Sequence, residues 1–317
     1  AAATAESRRR AAALVTEAFS AAPCYHQLVA ALLRAPRGVW ALDGAYVATA
    51  GVPLQPMAAV AVTGVEAALE RLPERPFLVE WKYDGERCQA HLLPPSASAE
   101  RGAGAAEAAA EEGAPRVRLF SRSLDEVSTR FPELVTSLPL ALHGGSGGGA
   151  NPRRPGGGGP SAVLDGELCA VDEASGAPLP FQTLASRPRK APTAEQAAAT
   201  PVCFFAFDVL ELDGRSLLDQ PLAARRALLR EVLSPVPNRI AFADGVEVHT
   251  EAQLRDELER AIDAQAEGLM LKALCADGAA RGSTIAAGAA GSGSGAKGGY
   301  EAGKRSLQWL KLKKDYI

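Results

Sequence analysis

The chain has 317 residues, enough for one large domain or two modest ones. Its formal net charge of −3 at pH 7 excludes a histone-like, strongly basic nucleic-acid binder, so any contact with DNA or RNA must come from local basic patches or from outside this chain. Five cysteines lie far apart, without a C-x-x-C pair, which indicates reduced thiols rather than a disulfide framework or a zinc site. No apolar run approaches the ~20 residues that span a bilayer, and we expect no membrane contact.

The first 50 residues carry the spacing of helices that bury one face. Leu14, Phe19, Leu28 and Leu32 supply the apolar positions. The chain starts without a methionine and stops just after a lysine-rich, strand-like segment. We therefore expect a piece of a longer protein.

Four stretches are rich in Ala, Gly, Ser and Pro and lack periodic large apolar residues: 94–114, 143–160, 191–200 and 276–299. Such segments cannot bury enough apolar surface to offset the entropy that a chain loses on ordering. We expect insertions that form poorly ordered surface loops.

Between these stretches the chain predicts strands and helices. The strands are Phe77–Lys82, Arg87–Leu93, Arg116–Arg122, Ala162–Val171, Val202–Leu212, Gly268–Lys272 and Leu307–Lys313. The helices are Thr63–Leu72, Pro221–Val232 and Gln253–Ala266, with capping boxes predicted at Thr63/Glu66 and Thr250/Gln253. Because strands come in runs rather than in strict alternation with helices, we expect an α+β fold with antiparallel sheets.

Charged residues stand at the ends of several predicted strands. Lys82 ends one strand, a glycine-containing turn follows, and Arg87 begins the next strand; alone, this pattern is typical of an ordinary hairpin. The segment Leu164-Asp165-Gly166-Glu167 puts a carboxylate between apolar neighbours, which is costly unless a metal or a hydrogen-bonding group satisfies it. Lys311 and Lys313 share one face of the last strand, with leucines on the other.

Six segments in this order resemble the nucleotidyltransferase motifs of ATP-dependent DNA ligases, most closely the eukaryotic DNA ligase I group. They are Lys82-Tyr-Asp-Gly-Glu-Arg87, Phe120-Ser-Arg122, Asp165-Gly-Glu167, Phe207-Asp-Val209, Glu267-Gly-Leu-Met-Leu-Lys272 and Trp309-Leu-Lys-Leu-Lys313. The likeness extends to Gly51-Val-Pro-Leu-Gln-Pro56 and Tyr300-Glu-Ala-Gly-Lys-Arg305, and covers about residue 14 to residue 317 except the four insertions. It implies the nucleotidyltransferase (adenylation) fold: two antiparallel sheets flanked by helices, preceded by a short all-α segment.

The resemblance makes Lys82 the nucleophile that attacks the α-phosphorus of ATP and holds AMP. An ordinary lysine, pKa ~10.4, is protonated near neutrality, so neighbouring cations and a divalent metal are needed to favour the free amine. Lys311 and Lys313 are the expected cations, and both would contact the phosphates. Glu167 and Glu267 are the expected Mg²⁺ ligands, since this ion takes hard oxygen ligands.

The remaining implied roles concern the nucleoside and the DNA end. Adenine is expected to stack on Phe207 with Met270 on its other side, and Glu80 resembles the acid that contacts adenine. Glu167 is expected to contact the ribose as well. Arg87 and Arg122 resemble arginines that bind the nucleotide and the incoming 5′-phosphate, because a guanidinium can fork two oxygens.

The resemblance also sets expectations for the whole parent protein. Residues 1–50 would be the tail of a helical DNA-binding domain and 51–317 the adenylation domain, with the family's OB-fold domain outside this chain. The expected partner is nicked duplex DNA, the expected state a monomer, and the expected location the nucleus, with an organelle as the alternative. An RNA ligase or mRNA-capping guanylyltransferase on the same fold, or a non-catalytic remnant, stays open.

Overall fold

The computed structural model describes residues 4–43, 47–72, 77–93, 116–143, 161–264, 266–274 and 299–314. The predicted insertion at 94–114 lies outside these ranges, as do the insertion at 143–160 except His143 and the insertion at 276–299 except Gly299. The α-helices within them are α1 (Ala5–Ala21), α2 (Tyr25–Arg34), α3 (Val65–Arg71), α4 (Pro132–Ala141), α5 (Phe181–Ala185), α6 (Ala194–Ala199), α7 (Leu222–Val232) and α8 (Glu251–Asp263).

The strands of the described ranges are β1 (Ala58–Val62), β2 (Phe77–Trp81), β3 (Glu86–Leu93), β4 (Arg116–Ser121), β5 (Ala162–Ala170), β6 (Val202–Leu212), β7 (Arg215–Ser216), β8 (Ile240–Phe242), β9 (Gly245–Val248), β10 (Gly268–Ala273) and β11 (Arg305–Lys313). Short 3₁₀ turns occupy Gly38–Leu42 and Ser128–Arg130. All seven predicted strands are present, with ends that differ by at most two residues. The strands β1, β7, β8 and β9 were not predicted.

The strands form a five-stranded sheet, in the order β1-β11-β10-β2-β9, and a six-stranded sheet, β4-β3-β5-β6-β7 with β8 beside β6. Most neighbours are antiparallel, as expected. Two pairs are exceptions to this order: β1 pairs with β11 in parallel, and β6 pairs with β8 in parallel. Strand direction at these edges depends on distant connections, which local sequence patterns do not carry.

Three clusters of buried side chains organise the layers. One lies beneath the six-stranded sheet and includes Phe131, Leu138, Phe204 and Leu229, so α4 and α7 cover that face. A second packs α3 and α8 against the five-stranded sheet. A third contains side chains from both sheets, among them Phe205, Phe207 and Trp309, and joins the two sheets face to face.

The alternation predicted for β11 is confirmed, and β2 alternates in the same way. Val79, Leu310 and Leu312 pack with the helix-facing cluster of the five-stranded sheet. Trp309 belongs to the cluster between the sheets instead, so the residues beside it at two-residue spacing face the other sheet. This alternation places the charged residues of both strands between the sheets.

Two predictions of helix structure are wrong, and one is confirmed. Helix α8 has the predicted capping box. The Thr250 side chain accepts from the backbone N–H of Gln253, and the Gln253 side chain accepts from the backbone N–H of Thr250. Helix α3 begins later than predicted, at Val65, with Gly64 as N-cap and no side-chain cap, so Thr63 does not cap it. Residues 191–200, expected as a poorly ordered loop, contain α6, which a capping box from Thr193 to Gln196 starts.

The N-terminal segment is helical, as predicted. Helices α1 and α2 and the turn Gly38–Leu42 bury Leu14, Ala18, Leu28 and Leu42 against one another. Within the described ranges, no helix is both long and apolar enough to cross a membrane.

Candidate active site

A cleft of about 470 Å³ opens between the two sheets. Its volume is that of a pocket for a molecule of nucleotide size. The residues predicted for the site that line the cleft are Glu80, Lys82, Arg87, Arg122, Glu167, Phe207, Met270 and Lys311. Glu267 and Lys313 are not among its lining residues, but they adjoin it through Lys82.

Lys82 lies where β2 ends beside the start of β10. Its backbone N–H donates to Gly268 O at 2.8 Å, and its carbonyl accepts from Glu267 N at 3.0 Å. The side chains are paired too: Lys82 Nζ lies 2.5 Å from Glu267 Oε2, and Lys313 Nζ lies 3.2 Å from the same oxygen. Burial raises the pKa of Glu267, but hydrogen bonds from Lys82 and its other partners outweigh burial and bring the pKa to about 2.

Asp84 and Gly85 form the turn after Lys82. Burial and a hydrogen bond with Glu267 raise the pKa of Asp84, and its carboxylate accepts from Phe181 N at 3.3 Å. A Cβ at Gly85 would lie 2.3 Å from Leu168 O, so only glycine lets this turn approach β5 so closely. The turn therefore fixes Lys82 relative to the six-stranded sheet.

Glu167 faces Lys82 from the six-stranded sheet. Burial raises its pKa to about 7, against the opposing effects of Arg87 and Lys82. No group of three His, Cys, Asp or Glu side chains in the described ranges could by itself hold a metal ion. Two carboxylates, Glu167 and Glu267, nevertheless suit Mg²⁺, which uses one or two carboxylates and takes its other ligands from phosphates and water.

Cations collect beside Lys82. Lys311 lines the cleft, and its pKa is lowered by burial and then by the nearby charges of Lys313, Lys82, Arg305 and Arg122. The Arg122 side chain is exposed at the cleft. Such a group of like charges is favourable only when an anion balances it, and a triphosphate is an anion of the required charge.

Arg87 lines the cleft, but most of its N–H donors form hydrogen bonds with other protein groups. Its Nε and Nη2 donate to Asp165 at 3.0 and 2.7 Å, its Nη1 donates to Met57 O at 2.6 Å, and Tyr300 Oη donates to Asp165 at 2.8 Å. Asp165, which is fully buried, is thus satisfied by protein groups rather than by a metal. Arg87 is held rigidly at the cleft wall, whereas Arg122 points to solvent.

The opposite end of the cleft is aromatic and buried. Phe207 packs edge-to-face on Trp309, with ring centroids 6.1 Å apart, and Lys272 Nζ lies 3.9 Å from the centre of the Phe207 ring. The same ammonium group lies 2.5 Å from Glu80 Oε2, and burial lowers its pKa. Met270 stands between Glu80 and Lys311, directly opposite each on the neighbouring strand. Phe207 of one sheet and Met270 of the other both line this end of the cleft.

Sequence comparison decides the family. The family described as "ATP dependent DNA ligase domain" matches residues 56–96 and 108–279, which is more than half of the chain. The chain belongs to the ATP-dependent DNA ligase family. ATP is therefore the nucleotide that its family uses, and the nucleotidyltransferase motifs quoted above lie on the walls of one cleft.

Curated relatives agree with this assignment. The chain is 31% identical to DNA ligase 3 of Schizosaccharomyces pombe over 96% of this chain and 33% of that protein. It is 31% identical to DNA ligase 1 of Dictyostelium discoideum (96% and 21%) and to DNA ligase 1 of Arabidopsis thaliana (97% and 32%). The chain thus spans a third or less of the length of these ligases.

Several residues of this ligase cleft were not predicted as site residues. Lys272, Trp309 and Arg305 also line it. Strand alternation could have identified all three as cleft residues. Lys272 follows Met270 by two residues, and Arg305, Trp309 and Lys311 are separated by even numbers of residues on β11, so each lies on the same face as a predicted site residue. No sequence pattern identified Arg226, which contacts Glu80 from outside the cleft. Helix periodicity predicts only which face of a helix is buried, not which polar group a buried side chain contacts.

Proposed function

We propose that this chain is the adenylation domain of a DNA ligase that seals nicks in duplex DNA through a lysine–AMP intermediate. One observation carries the proposal. Lys82 stands at one end of a single cleft whose other end offers a buried carboxylate and aromatic rings for a base, with a group of cations beside the lysine. This arrangement suits a nucleoside triphosphate whose α-phosphate meets the amine.

The proposed first step transfers AMP to Lys82. The neutral Lys82 amine attacks the α-phosphorus, a nitrogen–phosphorus bond forms, and the bond to the bridging oxygen breaks. Pyrophosphate leaves, and the proton lost from the attacking nitrogen passes to water. Lys82 must first leave its ion pair with Glu267, and the phosphates compete with that carboxylate for the ammonium. Lys311 and Lys313 then lie where they can balance charge on the phosphates, and positioning with charge stabilisation supplies most of the catalysis in such transfers.

Mg²⁺ belongs to the proposal as a partner of Glu167 and Glu267. When bound, it supplies charge neutralisation at the phosphate oxygens. Burial already favours the protonated form of Glu167, so a cation near this carboxylate would restore its charged form. We also propose that Glu167 contacts the ribose.

In the later steps the parent protein would pass AMP to the 5′-phosphate of a nick and join it to the 3′-hydroxyl. Arg122 is the proposed ligand of that 5′-phosphate, because it is exposed at the cleft and Arg87 is engaged with Asp165. We propose that the parent acts as a monomer on nicked duplex DNA, and in the nucleus rather than an organelle. The resemblance to eukaryotic DNA ligase I supports these statements, and residues 1–50 would be the end of its DNA-binding domain.

The test is covalent labelling. The protein is incubated with Mg²⁺ and either ATP or GTP labelled at the α-phosphate, then denatured. We expect an adduct from ATP that is acid-labile and base-stable, and that added pyrophosphate reverses. An adduct from GTP but not ATP would instead favour a capping guanylyltransferase, and no adduct from either would favour a non-catalytic remnant.

A further inference from the structure

Arg226 is a buried arginine of α7 that no step above uses. It does not line the cleft, and its side chain is only 7% exposed. Its Nη1 lies 2.7 Å from Glu80 Oε1 and donates to Phe207 O at 3.1 Å, while its Nη2 donates to Ala243 O at 3.1 Å. All three partners line the cleft.

These contacts join the two sheets at the base end of the cleft. Glu80 belongs to β2 of the five-stranded sheet, whereas Phe207 belongs to β6 of the six-stranded sheet. Ala243 follows β8, so one guanidinium fixes a carboxylate from one wall and the backbone of two segments on the other. A planar fork with five donors can do this, but a single ammonium cannot.

Arg226 also shares Glu80 with Lys272. The buried carboxylate lies 2.5 Å from Lys272 Nζ and 2.7 Å from Arg226 Nη1, so each of its oxygens faces a cation. An ionised carboxylate only accepts hydrogen bonds. It is attractive to the 6-amino group of adenine and repulsive to the 6-oxo group of guanine.

We propose that Arg226 is a positioning residue that sets the preference of the cleft for adenine over guanine. It holds the Glu80 carboxylate at a fixed distance from the ring of Phe207 on which the base stacks. The inference rests on the proposed function for the nucleotide, but not on nick sealing. The phosphate end of the cleft, around Lys82 and Lys311, has no contact with Arg226 and should react as before.

The neighbouring residue provides a matched control. Arg225 stands on the same helix and is also buried, and it forms a two-point ion pair with Asp208 at 2.7 and 2.8 Å. Neither Arg225 nor Asp208 lines the cleft. Arg225→Lys therefore tests the loss of a buried arginine without touching the base end.

The experiment compares wild type, Arg226→Lys and Arg225→Lys. Calorimetry in EDTA gives the dissociation constants for ATP and GTP without adenylation, and labelling in Mg²⁺ gives the rate of adduct formation at saturating ATP. For Arg226→Lys we expect weaker ATP binding and an ATP-over-GTP preference that falls by about tenfold, the effect of losing one buried partner. The saturated rate should stay within about twofold, and Arg225→Lys should keep the wild-type preference.

Two further variants make the result decisive. In a Glu80→Gln background, Arg226→Lys should change the preference no further, because Arg226 acts through that carboxylate. If Arg226→Lys does not fold, Arg226→Gln replaces it with the same expectation. An unchanged preference in the folded variant, or an equal change in Arg225→Lys, would overturn the inference while leaving adenylation of Lys82 intact. Wild-type protein that forms no adduct with ATP would instead contradict the proposed function itself.

Discussion

Several ionisable side chains that this cleft removes from water are balanced by a particular partner. Asp165 is matched by Arg87 and Tyr300, Glu80 by Lys272, and Glu267 by Lys82. Removing one member of a buried ion pair leaves the other charge buried without a counter-ion. This destabilises the protein by far more than the intact pair stabilises it. Single substitutions at these residues therefore separate structural roles from chemical ones.

Asp165→Asn should destabilise the protein by about 3–5 kcal/mol, because it leaves the Arg87 guanidinium without its buried counter-ion. Urea unfolding followed by circular dichroism measures the loss. The exposed ion pair of Glu251 with Arg255 supplies the control, since Glu251→Gln should leave the unfolding midpoint unchanged. Equal stability of Asp165→Asn and wild type would show that Asp165 faces a ligand instead.

Glu167→Gln should stabilise the protein at pH 8 by about 1–2 kcal/mol and change little at pH 5. The reason is that burial raises the pKa of Glu167 to about 7 in the folded protein, above the value of 4.5 expected when unfolded. Stability from the protonated carboxyl is therefore complete below about 4.5 and is lost as the pH rises through 7. Thermal unfolding without divalent ions at both pH values tests this.

Glu173→Gln, at an exposed position just beyond the same strand, is the control for that measurement and should show no such dependence on pH. A Glu167→Gln variant whose stability relative to wild type is the same at pH 5 and pH 8 would contradict the account of this carboxylate.

At the residue scale, sequence motifs predicted which side chains share the cleft but not how they pair. Eight of the ten site residues that the resemblance implies line the cleft. The engagement of Arg87 with Asp165, and of Lys82 with Glu267, depends on register between strands distant in sequence. No local pattern contains that register.

At the scale of elements, capping separates two helices whose sequences look alike. Both Thr63-x-x-Glu66 and Thr250-x-x-Gln253 fit a capping box, but only the second forms, because Gly64 with φ of +86° takes the N-cap position of α3. The glycine adopts a backbone conformation that threonine disfavours. The low-complexity segment 191–200 was expected to be a loop, but Thr193 and Gln196 form a capping box that starts a helix within it.

Thr250→Ala should therefore cost about 1 kcal/mol of stability, whereas Thr63→Ala should cost nothing measurable. Thr250 accepts from Gln253 N at 3.2 Å, and no cap from Thr63 exists to lose. Guanidinium unfolding of the two variants in parallel measures the difference. Equal losses would mean that α3 is also capped from Thr63.

At the scale of the whole molecule, the cleft exists because two sheets pack face to face through one cluster of side chains. Phe205, Phe207 and Trp309 bridge the sheets, while helices cover their outer faces. The sequence predicted the runs of strands and the α+β class. It did not predict the parallel pairs of β1 with β11 and β6 with β8, whose partners are far apart along the chain.

The central claim is that the cleft transfers AMP to Lys82, and peptide mapping of the adduct tests it most directly. After incubation with ATP and Mg²⁺, mass spectrometry should find AMP on Lys82. Lys82→Ala should abolish the adduct while weakening ATP binding only modestly, since the base end of the cleft is untouched. Lys304→Ala, at an exposed lysine paired with Glu17, should keep it. AMP on any other lysine, or an adduct that persists in Lys82→Ala, would contradict the account.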